Sequence, residues 1–166
     1  MFNFVIVTSK VTPEISNTIQ TLLDTKTMHD KIIVINYNNY NIKYRSIEGI
    51  DYRHVKQNKK QAINSSLPRD ANVVLLDNFD IPTSFVKNLY KHYDFKSLCS
   101  LRVDVVTEKK FVESDGRIGS VITPKSFKHL AIAFNTGMLS KVGNTPEETA
   151  LIAQDWKIPL KLLPNV

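Results

Sequence analysis

Two pairs of acidic residues are the side chains of this sequence best suited to chemistry. Asp77 and Asp80 follow an uncharged apolar run, and Glu147 and Glu148 follow a Thr-Pro pair that marks the start of a helix. Carboxylates of this kind can hold a divalent cation such as magnesium or manganese, and a bound cation can hold phosphate groups. A carboxylate can also remove the proton of an attacking hydroxyl. Together the two pairs suit the transfer of a group from a nucleoside diphosphate.

Each pair also has a purely structural interpretation. Asp77 and Asp80 are equally suited to capping the next helix and facing water. The spacing Thr145-x-x-Glu148 is that of a capping box, in which the glutamate returns to the amide of the N-cap residue. On spacing alone, the cap is favoured over catalysis for Glu148.

The first half of the chain predicts a parallel α/β sheet. Val73 to Leu76 is an uncharged apolar run, as expected of a strand buried on both faces, and ligands of such sheets gather at the carboxyl ends of the strands. Strands alternate with helices, which favours right-handed crossovers. The predicted strands are Phe2 to Thr8, Lys31 to Ile35, Ile50 to Val55 and the Val73 run; the predicted helices begin at Thr12-Pro13, span Asn58 to Leu67 and span Pro82 to Tyr93.

The second half has a different pattern. A strand is predicted over Ser97 to Val106, and Ser114-Asp115-Gly116 predicts the turn of an antiparallel hairpin that would build one side of a cleft. A short helix is predicted around Phe134 to Val142 with Gly143 as its C-terminal cap. A last helix from Thr145 to Trp156 and a strand from Leu160 to Leu163 complete the chain. We expect a single domain over residues 1–166, with a nucleotide-binding half (1–95) and an acceptor-side half (96–166).

Composition narrows the function classes. A chain of 166 residues that is 42% hydrophobic suits one compact domain, and its net charge of +6 suits an anionic ligand or partner. Cys99 is the only cysteine and the four histidines are scattered, so neither a disulfide framework nor a zinc site is expected. No apolar run approaches the roughly 20 residues that span a bilayer, and no signal peptide pattern is present. These features predict a cytoplasmic protein without membrane insertion, in the host cytoplasm if the source is viral.

Read in order, the segments resemble the family 2 glycosyltransferases, which have the GT-A fold, a Rossmann-like mixed sheet with helices on both faces. The similarity extends over nearly the whole chain, and the motifs in the second half imply an antiparallel acceptor side. The segments that carry it are Phe4 to Ser9, Lys31 to Asn38, Asn58 to Ser65, Leu76 to Pro82, Phe134 to Gly143, Glu147-Glu148 and Lys157 to Asn165.

The resemblance implies roles for individual residues. Glu148, next to Glu147, occupies the position of the catalytic base, and Asp77 would contact the ribose or, with Asp80, a divalent cation. The residues implied in nucleotide binding are Thr8, Ser9, Asn36, Asn38, Lys60 and Asp77. The implied donor is a nucleoside-diphosphate sugar, such as a UDP-sugar, with inversion at the transferred hexose or pentose.

The sequence also departs from the family pattern. Asn36 and Asn38 replace acidic residues, and Phe79 occupies the place of the second aspartate of the Asp-x-Asp motif. These replacements favour an alternative, a catalytically silent GT-A-like domain that binds a nucleotide, a nucleic acid or a partner protein. The same residues also have plain interpretations, because Asn36 to Asn38 suit an ordinary loop and Lys60 suits a solvated surface.

The resemblance and the basic charge suggest an acceptor, and the loop after the first strand disfavours a third interpretation, a nucleotidyltransferase. Bacteriophage enzymes of this kind modify DNA, so the acceptor hydroxyl is expected on a hydroxymethylated or already glycosylated DNA base, whose backbone phosphates would meet the Lys and Arg side chains. A nucleotidyltransferase of similar topology would need a glycine-rich phosphate loop after the first strand. Thr8 to Thr12 contains no glycine, so the sequence favours glycosyl transfer.

Overall fold

A computed structural model describes residues 1–10, 12–37, 48–76, 80–104, 109–112, 118–121 and 127–163, with side chains for all of these except 102–104, 109–112, 118–121, 127–130 and 147. The strands are β1 Asn3–Thr8, β2 Lys31–Asn36, β3 Ile50–His54, β4 Asn72–Leu76, β5 Leu98–Asp104, β6 Lys109–Val112, β7 Ile118–Val121, β8 Phe127–Asn135 and β9 Leu160–Leu162. The helices are α1 Pro13–Thr25, α2 Lys59–Ser66, α3 Phe85–His92 and α4 Pro146–Asp155.

Seven strands form one mixed sheet in the order β3-β2-β1-β4-β8-β5-β9. The four strands β3, β2, β1 and β4 are parallel, whereas β8 runs antiparallel to both of its neighbours, β4 and β5. The strands β6 and β7 pair with each other as a separate antiparallel hairpin. The predicted fold class, an α/β mixed sheet with an added antiparallel hairpin, is confirmed.

Helices cover both faces of the sheet. One buried cluster joins β1, β2 and β4 to residues of α1 and α3, among them Ile15 and Leu89. The other joins the opposite faces of these strands to α2 and α4 through Ala62, Ile63 and Ala153. This arrangement explains why β1 is buried at all six positions, since both of its faces pack against helices.

Two helix starts that the sequence predicts are confirmed with their caps. Thr12 Oγ1 accepts a hydrogen bond from Ile15 N at 3.3 Å, and Pro13 is the first residue of α1. Thr145 Oγ1 accepts from Glu148 N at 3.2 Å at the start of α4. Side-chain caps of this type satisfy amides that have no partner within the helix.

The predicted helix from Phe134 to Val142 is wrong, because Phe134 lies near the end of β8 and a turn follows that strand. Asn135 accepts hydrogen bonds from Met138 N and Leu139 N, both at 3.0 Å, so the chain makes one turn and does not continue as a helix. Gly143 therefore caps no helix; it packs against the start of α4. The long antiparallel β8 is the element that the sequence analysis did not find.

The prediction that Pro82 begins a helix is also wrong. α3 begins at Phe85, whose amide donates to the Pro82 carbonyl at 3.0 Å, so a single turn precedes the helix. The other predicted strands and helices are present with shifts of a few residues, as far as the structure describes them. The predicted hairpin turn at residues 114–116 lies outside the described residues, although β6 and β7 on its two sides are paired.

No helix in the described part of the chain is long and apolar enough to cross a membrane.

Candidate functional site

The carboxyl ends of three parallel strands lie side by side in register. Thr8 of β1 pairs with Asn36 of β2, and Asn36 pairs with His54 of β3. Backbone hydrogen bonds continue this alignment by one residue, because Tyr37 N donates to Thr8 O at 3.1 Å and Val55 N donates to Asn36 O at 2.9 Å. Two of the residues that sequence analysis assigns to nucleotide binding are therefore neighbours at the edge where ligands of open α/β sheets bind.

The Thr8 hydroxyl holds the loop that follows β1. Thr8 is buried, its Oγ1 accepts from Lys10 N at 3.1 Å, and the same hydroxyl donates to Lys10 O. Ser9 lies within this turn and is half-buried, whereas Lys10 is exposed. Thr8 thus shapes the loop, and Ser9 is the side chain of the pair that lies nearer to solvent.

The Asn36 side chain is also buried and positioned by a neighbour. Its Nδ2 donates to the Tyr52 hydroxyl at 3.0 Å, across β2 and β3. Strand alternation places Asn36, Tyr52 and Thr8 on the face of the sheet that packs against α1 and α3. Tyr52 therefore fixes the amide at the sheet edge, on the α1 side.

A small cavity lies at the same edge on the opposite face. Its volume is about 20 Å³, and its lining includes Val7, Leu76, Lys59, Thr145 and Pro146. The end of β4 and the start of α4 therefore lie close together, although neither Asp80 nor Glu148 is among the residues that line the cavity. A cavity of this size holds roughly one water molecule, so a nucleotide would have to lie above it, across the sheet edge.

Lys59, and not Lys60, lies at this cavity. Lys59 is half-buried at the first position of α2, whereas Lys60 is exposed. The sequence contains a signal for this choice, because Lys59 precedes the buried Ala62 and Ile63 by three and four positions, the spacing that places side chains on one helix face. The positive charge of Lys59 therefore lies near the amino-terminal ends of α2 and α4. The dipoles of both helices also favour an anion at this point.

Glu148 forms a cap in this structure. Its Oε2 accepts from Asn144 N at 2.7 Å, one residue before the N-cap, and the side chain is exposed. The Gly143 amide donates to Thr149 Oγ1 at 3.1 Å, and Thr149 Oγ1 donates to Thr145 O at 3.0 Å. The loop that lines the cavity is thus fastened to the first turn of α4 by two side chains, one of which is the predicted base.

The structure describes only some of the remaining predicted site residues. Asp80 is exposed after β4, Asp77 and Asn38 lie outside the described residues, and Glu147 is in α4 without a described side chain. Among the side chains that the structure describes, no group of three or more His, Cys, Asp and Glu is arranged to hold a metal ion. The divalent cation therefore stays a prediction that depends on Asp77.

Sequence reasoning assigned no individual site role to Tyr52, Lys59 or Gly143. Tyr52 and Gly143 leave no local signal, because their roles depend on which strand or helix lies beside them. His54 was also missed, although it is the next-to-last residue of the predicted strand Ile50 to Val55, and residue type near a strand end is a usable signal; in the structure it ends β3 in register with Asn36.

Comparisons with known proteins identify similar folds. No protein-family model matches the sequence, and no curated protein matches it. A solved structure of 4-diphosphocytidyl-2C-methyl-D-erythritol synthase is similar over 99% of this chain and 89% of the other, with a TM-score of 0.68 and 12% identity. The Francisella tularensis 2-C-methyl-D-erythritol 4-phosphate cytidylyltransferase gives a TM-score of 0.59 at 14% identity, over 100% of this chain and 93% of the other.

A Mycobacterium tuberculosis H37Rv protein, solved in complex with manganese, gives a TM-score of 0.57 at 10% identity over 98% of this chain and 86% of that one. At these identities the likeness shows the fold, and it agrees with the nucleotide-binding type of α/β sheet expected from the sequence. Residue roles do not follow from it.

Proposed function

We propose that this protein is a nucleotide-dependent transferase that moves a sugar from a nucleoside-diphosphate sugar, such as a UDP-sugar, to an acceptor hydroxyl. One observation carries the proposal: the cavity where Lys59 and the start of α4 meet the end of β4, at the edge where Thr8 and Asn36 also end their strands. Support for a nucleotide ligand comes from the fold, which is similar to that of two solved cytidylyltransferases.

The two faces of the sheet edge suggest how the donor lies. Thr8 and Asn36 are buried on the α1 side, where they position the strand ends and the loop after β1 over which the nucleoside would lie. Lys59 and the amino-terminal ends of α2 and α4 are on the other side, where positive charge would meet the diphosphate. The donor would therefore cross the edge of the sheet, between β1 and β4.

The residues at this edge of the sheet suggest how the sugar would be transferred. The acceptor oxygen forms a bond to the anomeric carbon as the bond from that carbon to the diphosphate oxygen breaks, and the nucleoside diphosphate leaves with the electron pair. Glu148, beside Glu147, takes the hydroxyl proton and must exchange its hydrogen bond from Asn144 N to do so. A magnesium or manganese ion held by Asp77 and Asp80 would supply charge neutralisation for the leaving group. In-line attack gives inversion.

We extend the proposal to a DNA acceptor that carries a hydroxymethylated or glycosylated base. The support is the net charge of +6 and the exposed Lys56 and Lys60 close to Lys59 in sequence, near the start of α2. DNA binding through phosphates would weaken steeply as salt is raised. Affinity for duplex DNA that does not change between low and physiological salt contradicts this extension.

A second candidate is nucleotidyl transfer, favoured because the similar solved structures include two cytidylyltransferases. Product analysis separates the candidates. With a panel of UDP-sugars, glycosyl transfer or hydrolysis releases UDP; with nucleoside triphosphates and phosphorylated acceptors, nucleotidyl transfer releases pyrophosphate. Phosphorus NMR distinguishes the two products directly.

Matched variants test the site itself. Lys59→Ala should weaken donor binding at least tenfold, whereas Lys60→Ala should change it less than twofold. Glu148→Gln keeps an oxygen for Asn144 N but cannot accept the proton, so turnover should fall about 100-fold or more with donor affinity retained. If the two lysine variants weaken donor binding equally, the proposal that the diphosphate lies at Lys59 is contradicted. Nucleotide binding with neither UDP nor pyrophosphate released would identify the silent domain.

A further inference from the structure

A second and much larger cavity lies at the opposite edge of the sheet. Its volume is about 470 Å³, compared with about 20 Å³ at the carboxyl edge. Ligand cavities of small molecules typically measure about 300–1,000 Å³. Residues on three neighbouring strands line it, namely Asn3, Lys31, Ile33, Asp51 and Arg53, with Pro68 beyond α2.

The short length of α2 explains why this region is open. Asn3 pairs with Lys31 and Ile33 pairs with Asp51, so strand alternation places these side chains on one face of the sheet. It is the face on which Ile33 packs in the same cluster as Ala62 of α2. α2 has only eight residues, about two turns, and within the described part of the chain no other helix extends over the amino-terminal part of this face.

The acidic groups of the cavity are already occupied. Asp51 Oδ2 accepts from Nε and Nη2 of Arg53 at 3.2 and 2.8 Å. The Asp30 carboxylate accepts from Phe2 N at 2.8 Å and Thr27 N at 2.9 Å, and also from the Tyr90 hydroxyl. These carboxylates are therefore held by donors within the protein.

The basic groups of the cavity have less compensation. Among the described residues, Lys26 Nζ reaches no carboxylate but two backbone carbonyls, those of Thr27 at 3.3 Å and Asp30 at 3.4 Å. The Lys31 side chain is exposed, and its amino group forms neither a hydrogen bond nor an ion pair within the described part of the chain. A ligand entering the cavity thus meets an excess of positive charge beside apolar surface from Met28 and Pro68.

We propose that this cavity binds a small organic anion, with its charged group at Lys31 and Arg53 and its apolar body over Met28 and Pro68. The charged group is a phosphate or a carboxylate, since either accepts from a lysine and an arginine. This site is separate from the carboxyl edge, and it does not depend on the transferase proposal.

Phenyl phosphate and benzoate are suitable probes, measured by calorimetry or by NMR titration of the whole chain. Inorganic phosphate offers the charge without the apolar body, and benzyl alcohol offers the body without the charge. We expect at least one aromatic anion to bind more than fivefold tighter than inorganic phosphate, with no saturable binding of benzyl alcohol. Tighter binding of phenyl phosphate would identify the charged group of the ligand as a phosphate, and tighter binding of benzoate would identify it as a carboxylate. Failure of both anions to saturate by 10 mM, on the order of the weakest binding worth assigning, overturns the proposal.

Three variants place the binding at this cavity. Lys31→Ala should raise the dissociation constant at least fivefold, and Asp51→Asn should lower it about twofold, because the ligand no longer competes for Arg53. Lys91→Ala, an exposed lysine of α3, is the control and should change it less than twofold. Equal weakening by Lys31→Ala and Lys91→Ala, or weaker binding in Asp51→Asn, contradicts the proposed site. Circular dichroism checks that each variant is folded, and Lys59→Ala should leave this binding unchanged.

Discussion

Gly143→Ala is the substitution whose cost follows most directly from the structure. A methyl group added at Gly143 would lie 2.4 Å from Glu148 Cβ, 2.9 Å from Glu148 Oε2 and 3.2 Å from the Glu148 carbonyl carbon. Non-bonded carbons prefer about 3.5–4.0 Å. The carboxylate can turn away, but the Cβ and the carbonyl carbon belong to the first turn of α4, so the loop must withdraw by about 1 Å.

The withdrawal would disturb two hydrogen bonds. These are Gly143 N to Thr149 Oγ1 at 3.1 Å, which is buried, and Asn144 N to Glu148 Oε2 at 2.7 Å. Overpacking of this kind costs about 1–3 kcal/mol, and each weakened hydrogen bond adds about 0.5–1.5 kcal/mol. We expect the free energy of unfolding to fall by about 3 kcal/mol, and the melting temperature by roughly 6–12 °C for a chain of this size.

Urea unfolding of four proteins tests the reasoning: the wild type, Gly143→Ala, Glu148→Ala and the double variant. Glu148→Ala removes the carboxylate and its bond to Asn144 N but keeps Cβ, so most of the Gly143→Ala penalty should persist in the double variant. A penalty below about 0.5 kcal/mol in the wild-type background refutes the steric argument. A penalty that disappears in the Glu148→Ala background assigns the cost to the carboxylate and not to the close approach of the loop.

Three further substitutions have defined outcomes. Asp30→Asn should lower the free energy of unfolding at pH 7 by about 2–3 kcal/mol, because the amide cannot accept from Phe2 N, Thr27 N and the Tyr90 hydroxyl together. Burial alone would raise the pKa of Asp30, but these hydrogen bonds outweigh it and hold the pKa below its ordinary value of 3.8. The stability difference between the wild type and Asp30→Asn should therefore be complete above pH 3.8. It should shrink as the pH falls through the lower pKa of the folded state. Thr136→Val should cost about 1–2 kcal/mol in urea unfolding, since Thr136 Oγ1 accepts from Ala71 N at 2.9 Å and donates to Pro68 O at 2.8 Å, whereas Thr136→Ser should retain both bonds. Gly49→Ala should also destabilise, because Gly49 has φ of +88°, a conformation that costs a non-glycine residue about 1 kcal/mol, although the added methyl group would make only an ordinary contact, 3.7 Å from Leu23 Cδ2.

The sheet was predictable where strands are both parallel and fully buried. β1, β2 and β4 have continuous runs of branched apolar residues because helices cover both faces, and such runs leave a local signal. The start of α4 was predictable for a similar reason, since the cap at Thr145 and the proline at 146 are both defined within the first turn of the helix. Each of these features depends on near neighbours in sequence.

The functional edge was only partly predictable because its geometry depends on distant pairings. Thr8 and Asn36 follow from the ends of their strands, but their placement on the α1 side of the sheet, opposite Lys59, requires the register of β1 and β2. Likewise, the spacing of Thr145 and Glu148 predicted a cap, and the family resemblance implied a catalytic base at Glu148. The structure shows the cap, and the base remains a proposal that Glu148→Gln tests.

The missed strand β8 shows why burial in a sheet does not always leave a strand-like sequence. Ala131 and Ala133 are poor strand formers, yet they lie between β4 and β5 and are each about 1% exposed. They share a cluster with Phe85 and Leu89 of α3, so we infer that small side chains are required there for the helix to approach the sheet. Ala133→Val tests this inference, because valine has the higher strand propensity but adds two methyl groups to a closed core. We expect it to lower the free energy of unfolding by about 1–3 kcal/mol, at least as much as Ile132→Val on the opposite face of the same strand, which removes a methyl group at a cost of about 0.5–1.5 kcal/mol. An Ala133→Val protein more stable than the wild type would show that strand propensity, and not the packing of α3, decides what this position accepts.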